Sequence, residues 1–102
     1  MTWVTLAEAK AMQRIDGDDE DGTVQLLLDG AVAHCLTYLN CPLYATPEEL
    51  ANGDPNGVVF NADIKTAMLL VFGYRYAYRE DVVKRPREAE RILDKYRKHA
   101  GL

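Results

Sequence analysis

Cysteine is scarce in this chain: Cys35 and Cys41 are the only two among 102 residues. Two cysteines are too few for a disulfide scaffold and fit a reducing compartment. Long apolar runs are missing as well. The longest, Ala67 to Phe72, is six residues, far short of the ~20 that span a bilayer. The N-terminal residues lack a basic stretch followed by an apolar core, so no signal peptide is expected. What remains is a soluble domain of average apolar content (48%). The chain has room for a single core and is read as one domain over residues 1–102.

Groups that carry chemistry are also few. The two histidines, His34 and His99, form no C-x-x-C or H-x-x-x-H spacing with the cysteines, so no zinc site is read. His34 and Cys35 are sequence neighbours and diverge by about 100° around a helix. Cys35 lies on an apolar stripe and reads as core. Gly53, Gly57 and Gly73 are scattered and form no phosphate-binding loop. The acidic run Asp16–Asp21 suggests calcium, but an EF-hand loop starting at Asp16 would need glycine where Asp21 stands and glutamate where Leu27 stands. A helix N-terminus rich in carboxylates is the better reading. The carboxylates have no apolar surroundings to raise a pKa. Neither an enzyme nor a cofactor nor a metal is expected.

Charge is present, and unevenly. The net −4 divides into −8 over residues 1–60 (two basic, ten acidic) and +4 over residues 61–102 (ten basic, six acidic). Clustered cations can bind nucleic-acid phosphates. Charge runs can equally be solvated helix faces. A third possibility is self-association, because one acidic and one basic pole allow head-to-tail contacts that close into rings.

Apolar spacing gives the elements. Thr5-Leu6-Ala7-Glu8 is a capping box opening a short helix from Leu6 to about Arg14, which Gly17 breaks. Asp18 or Asp19 can cap the next helix, whose stripe Val24, Leu27, Leu28, Ala31, Cys35, Tyr38 and Leu39 runs to Asn40-Cys41-Pro42. Residues 41–61 hold three of four prolines and read as a long loop. Within it, Thr46 caps one helical turn at Pro47–Leu50, and Val58-Val59-Phe60 can pair as a strand. Asn61 or Asp63 caps a third helix to about Tyr78, apolar on nearly every side. A fourth runs from Arg87 to about His99, with Ala89, Ile92, Leu93 and Tyr96 inward and an Asp94–Lys98 pair outward; Gly101 follows as its stop. The fold class is all-α: a small bundle of three main helices plus a short N-terminal helix, with a long loop between the second and third main segments.

Tyrosine and arginine are enriched at interface hot spots. Tyr74 and Tyr78 lie one turn apart, as do Arg75 and Arg79, with Arg85 and Arg87 following. Together with Asp16, Asp18, Asp19, Glu20 and Asp21 they are the candidate subunit-interface residues. Core packing competes for the tyrosines and an ordinary solvated face for the arginines.

Several blocks, in order, carry a resemblance: Val4-Thr5-Leu6-Ala7-Glu8-Ala9-Lys10, then Arg14-Ile15-Asp16 and Asp18-Asp19-Glu20-Asp21. Tyr38-Leu39-Asn40-Cys41-Pro42-Leu43, Ile64 to Val71, Tyr78-Arg79-Glu80 and Ile92 to Arg97 continue it. The chain resembles the tailed-phage head–tail connector (adaptor) family, over most of its length except Tyr44 to Phe60. It departs at Asn61-Ala62, where the family often has proline, and at Tyr78, where asparagine is common. The resemblance implies a non-enzymatic virion subunit of a phage or prophage, made in the bacterial host cytoplasm. It implies a ring of about twelve copies beneath a portal protein and above a stopper or tail-completion protein. DNA would pass through without sequence-specific binding. The competing expectation is a small helical nucleic-acid-binding protein using the basic stretch Lys84 to Lys98, against which stand Glu88, Glu90 and Asp94.

Overall fold

A computed structural model describes residues 2–78 and 86–98. In chain order the elements are α1 (Leu6–Met12), α2 (Asp21–Leu39), β1 (Leu43–Tyr44), α3 (Pro47–Ala51), β2 (Val58–Val59), α4 (Ala62–Ala77) and α5 (Arg87–Leu93). The chain is mostly helical, with one two-stranded parallel exception.

The start of α1 follows its sequence. The Glu8 N–H donates to Thr5 Oγ1 at 3.1 Å, and the Thr5 N–H donates to Glu8 Oε1 at 2.8 Å, which satisfies two otherwise orphaned donors. The end comes earlier than Arg14. Ile15 N–H bonds Lys10 O at 2.9 Å and Arg14 N–H bonds Ala11 O at 3.3 Å, the paired bonds of a Schellman stop. Arg14 sits in the left-handed position (φ 55°) that glycine more often occupies. Gly17 (φ 79°) turns the chain again.

Neither Asp18 nor Asp19 caps α2. Glu20 holds the N-cap position, and its side chain makes no capping hydrogen bond. Lys10 organises this turn instead, donating to Gly17 O at 2.5 Å and to Asp21 Oδ1 at 2.7 Å. The expected stripe is buried at Val24, Leu28, Ala31, Cys35 and Leu39, and the left-handed Asn40 (φ 56°) ends the helix.

The 41–61 loop is built rather than loose. Thr46 Oγ1 accepts from Glu49 N–H at 3.2 Å and starts α3 at Pro47. The Val58–Val59 strand pairs with Leu43–Tyr44, a partner the sequence did not disclose, in the register Leu43↔Val58 and Tyr44↔Val59. Tyr44 lies flat against Gly53 and Gly57, where a Cβ at either glycine would collide with its ring or hydroxyl. Its hydroxyl accepts from Asp54 N–H at 2.8 Å.

Asn61, not Asp63, caps α4, with Oδ1 accepting from Ile64 N–H at 3.1 Å. Helix α4 buries Ile64, Ala67, Met68, Val71 and Phe72 and packs chiefly on α2. Helices α1 and α5 each touch both members of that pair. Coverage of α4 is incomplete: Leu70 and Tyr78 stay exposed.

Helix α5 stops at Leu93, not near His99. The reason is tertiary. Asp94 accepts a hydrogen bond from the Tyr38 hydroxyl on α2, Lys98 N–H donates to Leu39 O at 2.9 Å, and Asn40 Nδ2 donates to Lys98 O at 3.1 Å. These bonds draw residues 94–98 across the end of α2 and replace the expected Asp94–Lys98 helical pair. Of its expected inward residues, Ala89 and Leu93 are fully buried, while Ile92 and Tyr96 are packed at the margin of the core. His99 and Gly101 lie outside the described residues.

Candidate functional site

The acidic candidates gather in one turn between α1 and α2. Asp16, Asp18, Asp19 and Glu20 are exposed there, and Asp21 is held by Lys10. Among the described residues no group of three or more His, Cys, Asp or Glu side chains is placed to hold a metal.

The tyrosine and arginine candidates are divided by the fold. Tyr74, whose hydroxyl is buried, and the exposed Tyr78 pack ring against ring at the end of α4, with centroids 5.0 Å apart. Arg87 is exposed where α5 begins, beside Tyr74. Arg75 is drawn the other way: its guanidinium lies across Gly30 of α2, which has no side chain to block it. Arg79 and Arg85 lie outside the described residues. Thus Tyr74, Tyr78 and Arg87 share one region, Arg75 reaches across to α2, and none of Asp16, Asp18, Asp19, Glu20 and Asp21 lines either of the grooves beside α4.

Two shallow grooves flank α4 on its outer side. One, of about 380 Å³, runs between α4 and the start of α5, from Leu70 and Tyr74 to Pro86, Arg87 and Ala89. The other, of about 240 Å³, lies between α4 and the end of α1 and includes Met12, Leu69 and Gly73. Leu70 and Tyr74 form the ridge common to both. Met12 (55% exposed), Leu70 (43%) and Tyr78 (51%) leave apolar or aromatic surface in water here. A fourth large apolar side chain, Leu26 on α2, is 72% exposed. Sequence reasoning did not single out Leu26, Met12 or Leu70. The signal for Leu26 was its phase, since two residues from Val24 and from Leu28 is about 200° around a helix.

The titrating groups with shifted values are engaged in packing and in hydrogen bonds within the chain. Burial pushes the Cys35 thiol up to about 12, with Arg75 pulling down and Glu90 pushing up more weakly. Cys41 is also raised by burial. His34 Nε2 stands 3.2 Å from Glu90 Oε2 across the α2–α5 contact. The Tyr38 and Tyr96 hydroxyls are raised because each donates to a carboxylate, Asp94 and Asp63 respectively. Lys65, hydrogen-bonded to Glu8, is the main reason that carboxyl falls to about 2; the Thr5 N–H reinforces it.

Several cations of the basic C-terminal stretch already have partners within the chain. Lys95 is 3.8 Å from Asp63, Arg91 is 3.7 Å from Glu88, and the Arg97 guanidinium lies 4.3 Å over the Tyr38 ring. This engagement weakens the case for a continuous phosphate-binding face. No helix among the described residues is long and apolar enough to cross a membrane.

No curated protein and no solved structure matches the chain. Among protein families, residues 3–100 match the phage gp6-like head-tail connector protein. That match takes in every helix described above, both grooves and the acidic turn, and the chain belongs to the phage gp6-like head-tail connector family.

Proposed function

We propose that this chain is the repeating subunit of a ring that joins a phage or prophage capsid to its tail. The ring sits beneath the portal, contacts a stopper or tail-completion protein on its far side, and lets DNA pass through its centre. Family membership supplies the structural connector role. Ring formation, portal docking and DNA passage go beyond family membership and are proposed.

The observation that carries it is the presence of unlike surfaces on one chain. The acidic turn at Asp16, Asp18 and Asp19 lies at the start of α2. The outer side of α4, with Tyr78 and Arg87, presents aromatic and basic groups. Unlike surfaces on one chain favour heterologous contacts, which close into rings when the rotation between copies allows. The charges contribute to encounter and register more than to affinity. Asp21 and Arg75, engaged within the chain, help to fix these surfaces rather than to bridge copies.

Light scattering across a concentration series, alone and with the portal ring added, tests the reading. Copies of an 11.5 kDa chain in a ring of about twelve give a particle of about 140 kDa. A monomer in both conditions refutes the proposal. Steeply salt-dependent retardation of DNA by that monomer would favour the nucleic-acid alternative.

A further inference from the structure

Among the described residues, four large apolar or aromatic side chains stand well out in water, and they are not scattered. Met12 and Leu70 line the paired grooves beside α4, and Tyr78 packs on Tyr74, which lines both. Leu26, the most exposed of the four, stands on α2. Its surroundings on the helix surface are Gly22, Thr23, Asp29 and Gly30, three and four residues away. Gly22 and Thr23 are small, the Arg75 guanidinium lies across Gly30, and Leu26 still stands 72% exposed, so the feature is a knob.

Knob and groove face opposite ways. The buried stripe of α2 packs on α4, and Leu26 lies about 180–200° around the helix from it. Leu70 is two residues from both Met68 and Phe72, which face the core, and so points away from α2. A self-complementary dimer with twofold symmetry needs knob and groove on one shared patch. Opposite faces rule that arrangement out and leave a head-to-tail chain of contacts.

We propose that Leu26 of one copy seats in the larger groove of the next, against Leu70 and Tyr74, and that this apolar contact is the joint of the ring. The proposal rests on the ring reading above and names its contact. Charge supports a second copy as occupant. Asp29, one turn beyond Leu26, is exposed, and Arg87 is exposed at the lip of the larger groove. Glu88 on the same lip is offset by Arg91 at 3.7 Å. Seating the knob brings an anion toward a cation and removes apolar surface from water on both copies.

Single-thiol cross-linking tests it. In a Cys41→Ser background, the buried Cys35 is out of reach of reagent. Chains carrying Leu26→Cys are mixed with chains carrying Leu70→Cys and treated with a short bis-maleimide. The expected result is a cross-linked dimer in the mixture and in neither chain alone, and a ladder of multimers from a chain carrying both substitutions. Met12→Cys, on the neighbouring groove, is a second reporter if Leu70→Cys folds poorly. Absence of the mixed product with both reporters overturns the contact, as does a Leu70→Cys chain that links to itself. Shielding of the Leu70→Cys thiol only when portal is added, without mixed product, assigns the groove to the portal and also overturns it. Light scattering separates the two levels. A ring-sized mass without the mixed product removes this joint alone, whereas a monomer with and without portal removes the ring as well.

Discussion

Leu26, Leu27 and Leu28 are three identical side chains in a row on α2, and the fold gives them three different environments: 72% exposed, part-buried, and 1% exposed. Truncating each to alanine therefore isolates burial from chemistry. Leu28→Ala removes three carbons from the core, at about 0.8 kcal/mol each, or about 2.4 kcal/mol of transfer energy. Leu28 lies in the core with Phe72 and Met68, so the site closes only partly and a cavity cost adds to this, for a total of about 3–4 kcal/mol. Leu27→Ala is expected to cost about half as much, because its side chain packs at the core margin. Leu26→Ala should stay within about 0.5 kcal/mol, as an exposed substitution does. With a urea m-value of about 2 kcal/mol per molar, the Leu28 midpoint falls by about 1.5–2 M while the Leu26 midpoint does not move. Urea titrations at a protein concentration low enough to hold the chain monomeric give the comparison. A Leu26→Ala midpoint shifted as far as that of Leu28→Ala would refute the placement of α2, and with it the knob.

Two further perturbations probe other parts of the fold. Glu8 carries a folded-state pKa of about 2 against an ordinary 4.5, because of Lys65 and Thr5; its contribution is complete above pH 4.5 and is lost as pH falls through about 2. The urea-midpoint gap between wild type and Glu8→Gln should therefore narrow over that window, and a gap that widens contradicts the pairing. Gly57→Ala sets a methyl against the Tyr44 ring and breaks the Asp54 N–H bond to its hydroxyl, a change of about 1–2 kcal/mol. Hydrogen exchange at Asp54 should accelerate while the amides of α2 and α4 keep their protection, and unchanged exchange at Asp54 would count against the Tyr44 slot.

What could be read from residues in order was what local physics decides. Thr5, Thr46 and Asn61 each cap through a side chain that reaches an amide three residues ahead, and spacing alone announces such bonds. The stripe from Val24 to Leu39 is likewise a local periodicity. The misses came where distant groups decide. Nothing near Leu93 in sequence says that Asp94 will bond Tyr38 or that Lys98 will bond Leu39, 56 and 59 residues away by number. Lys10 displaced Asp18 and Asp19 from their expected part by tying down Asp21 and Gly17. At the candidate site, the tyrosine pair was visible from its spacing, but the absence of a side chain at Gly30 was needed to see why Arg75 turns inward. Leu26 was hidden by its neighbours, because in a run of three leucines only helical phase distinguishes the one left outside.

The pairing of Leu43 with Val58 also determines what kind of object the intervening segment is. The two strands run in the same direction, so α3 lies in the crossover between them and touches both. Leu43, Val58 and Phe60 also pack against the helical core, so the segment is a small strand-helix-strand unit seated on that core. Changes confined to α3 and its flanking turns would leave the packing of α2 on α4 in place.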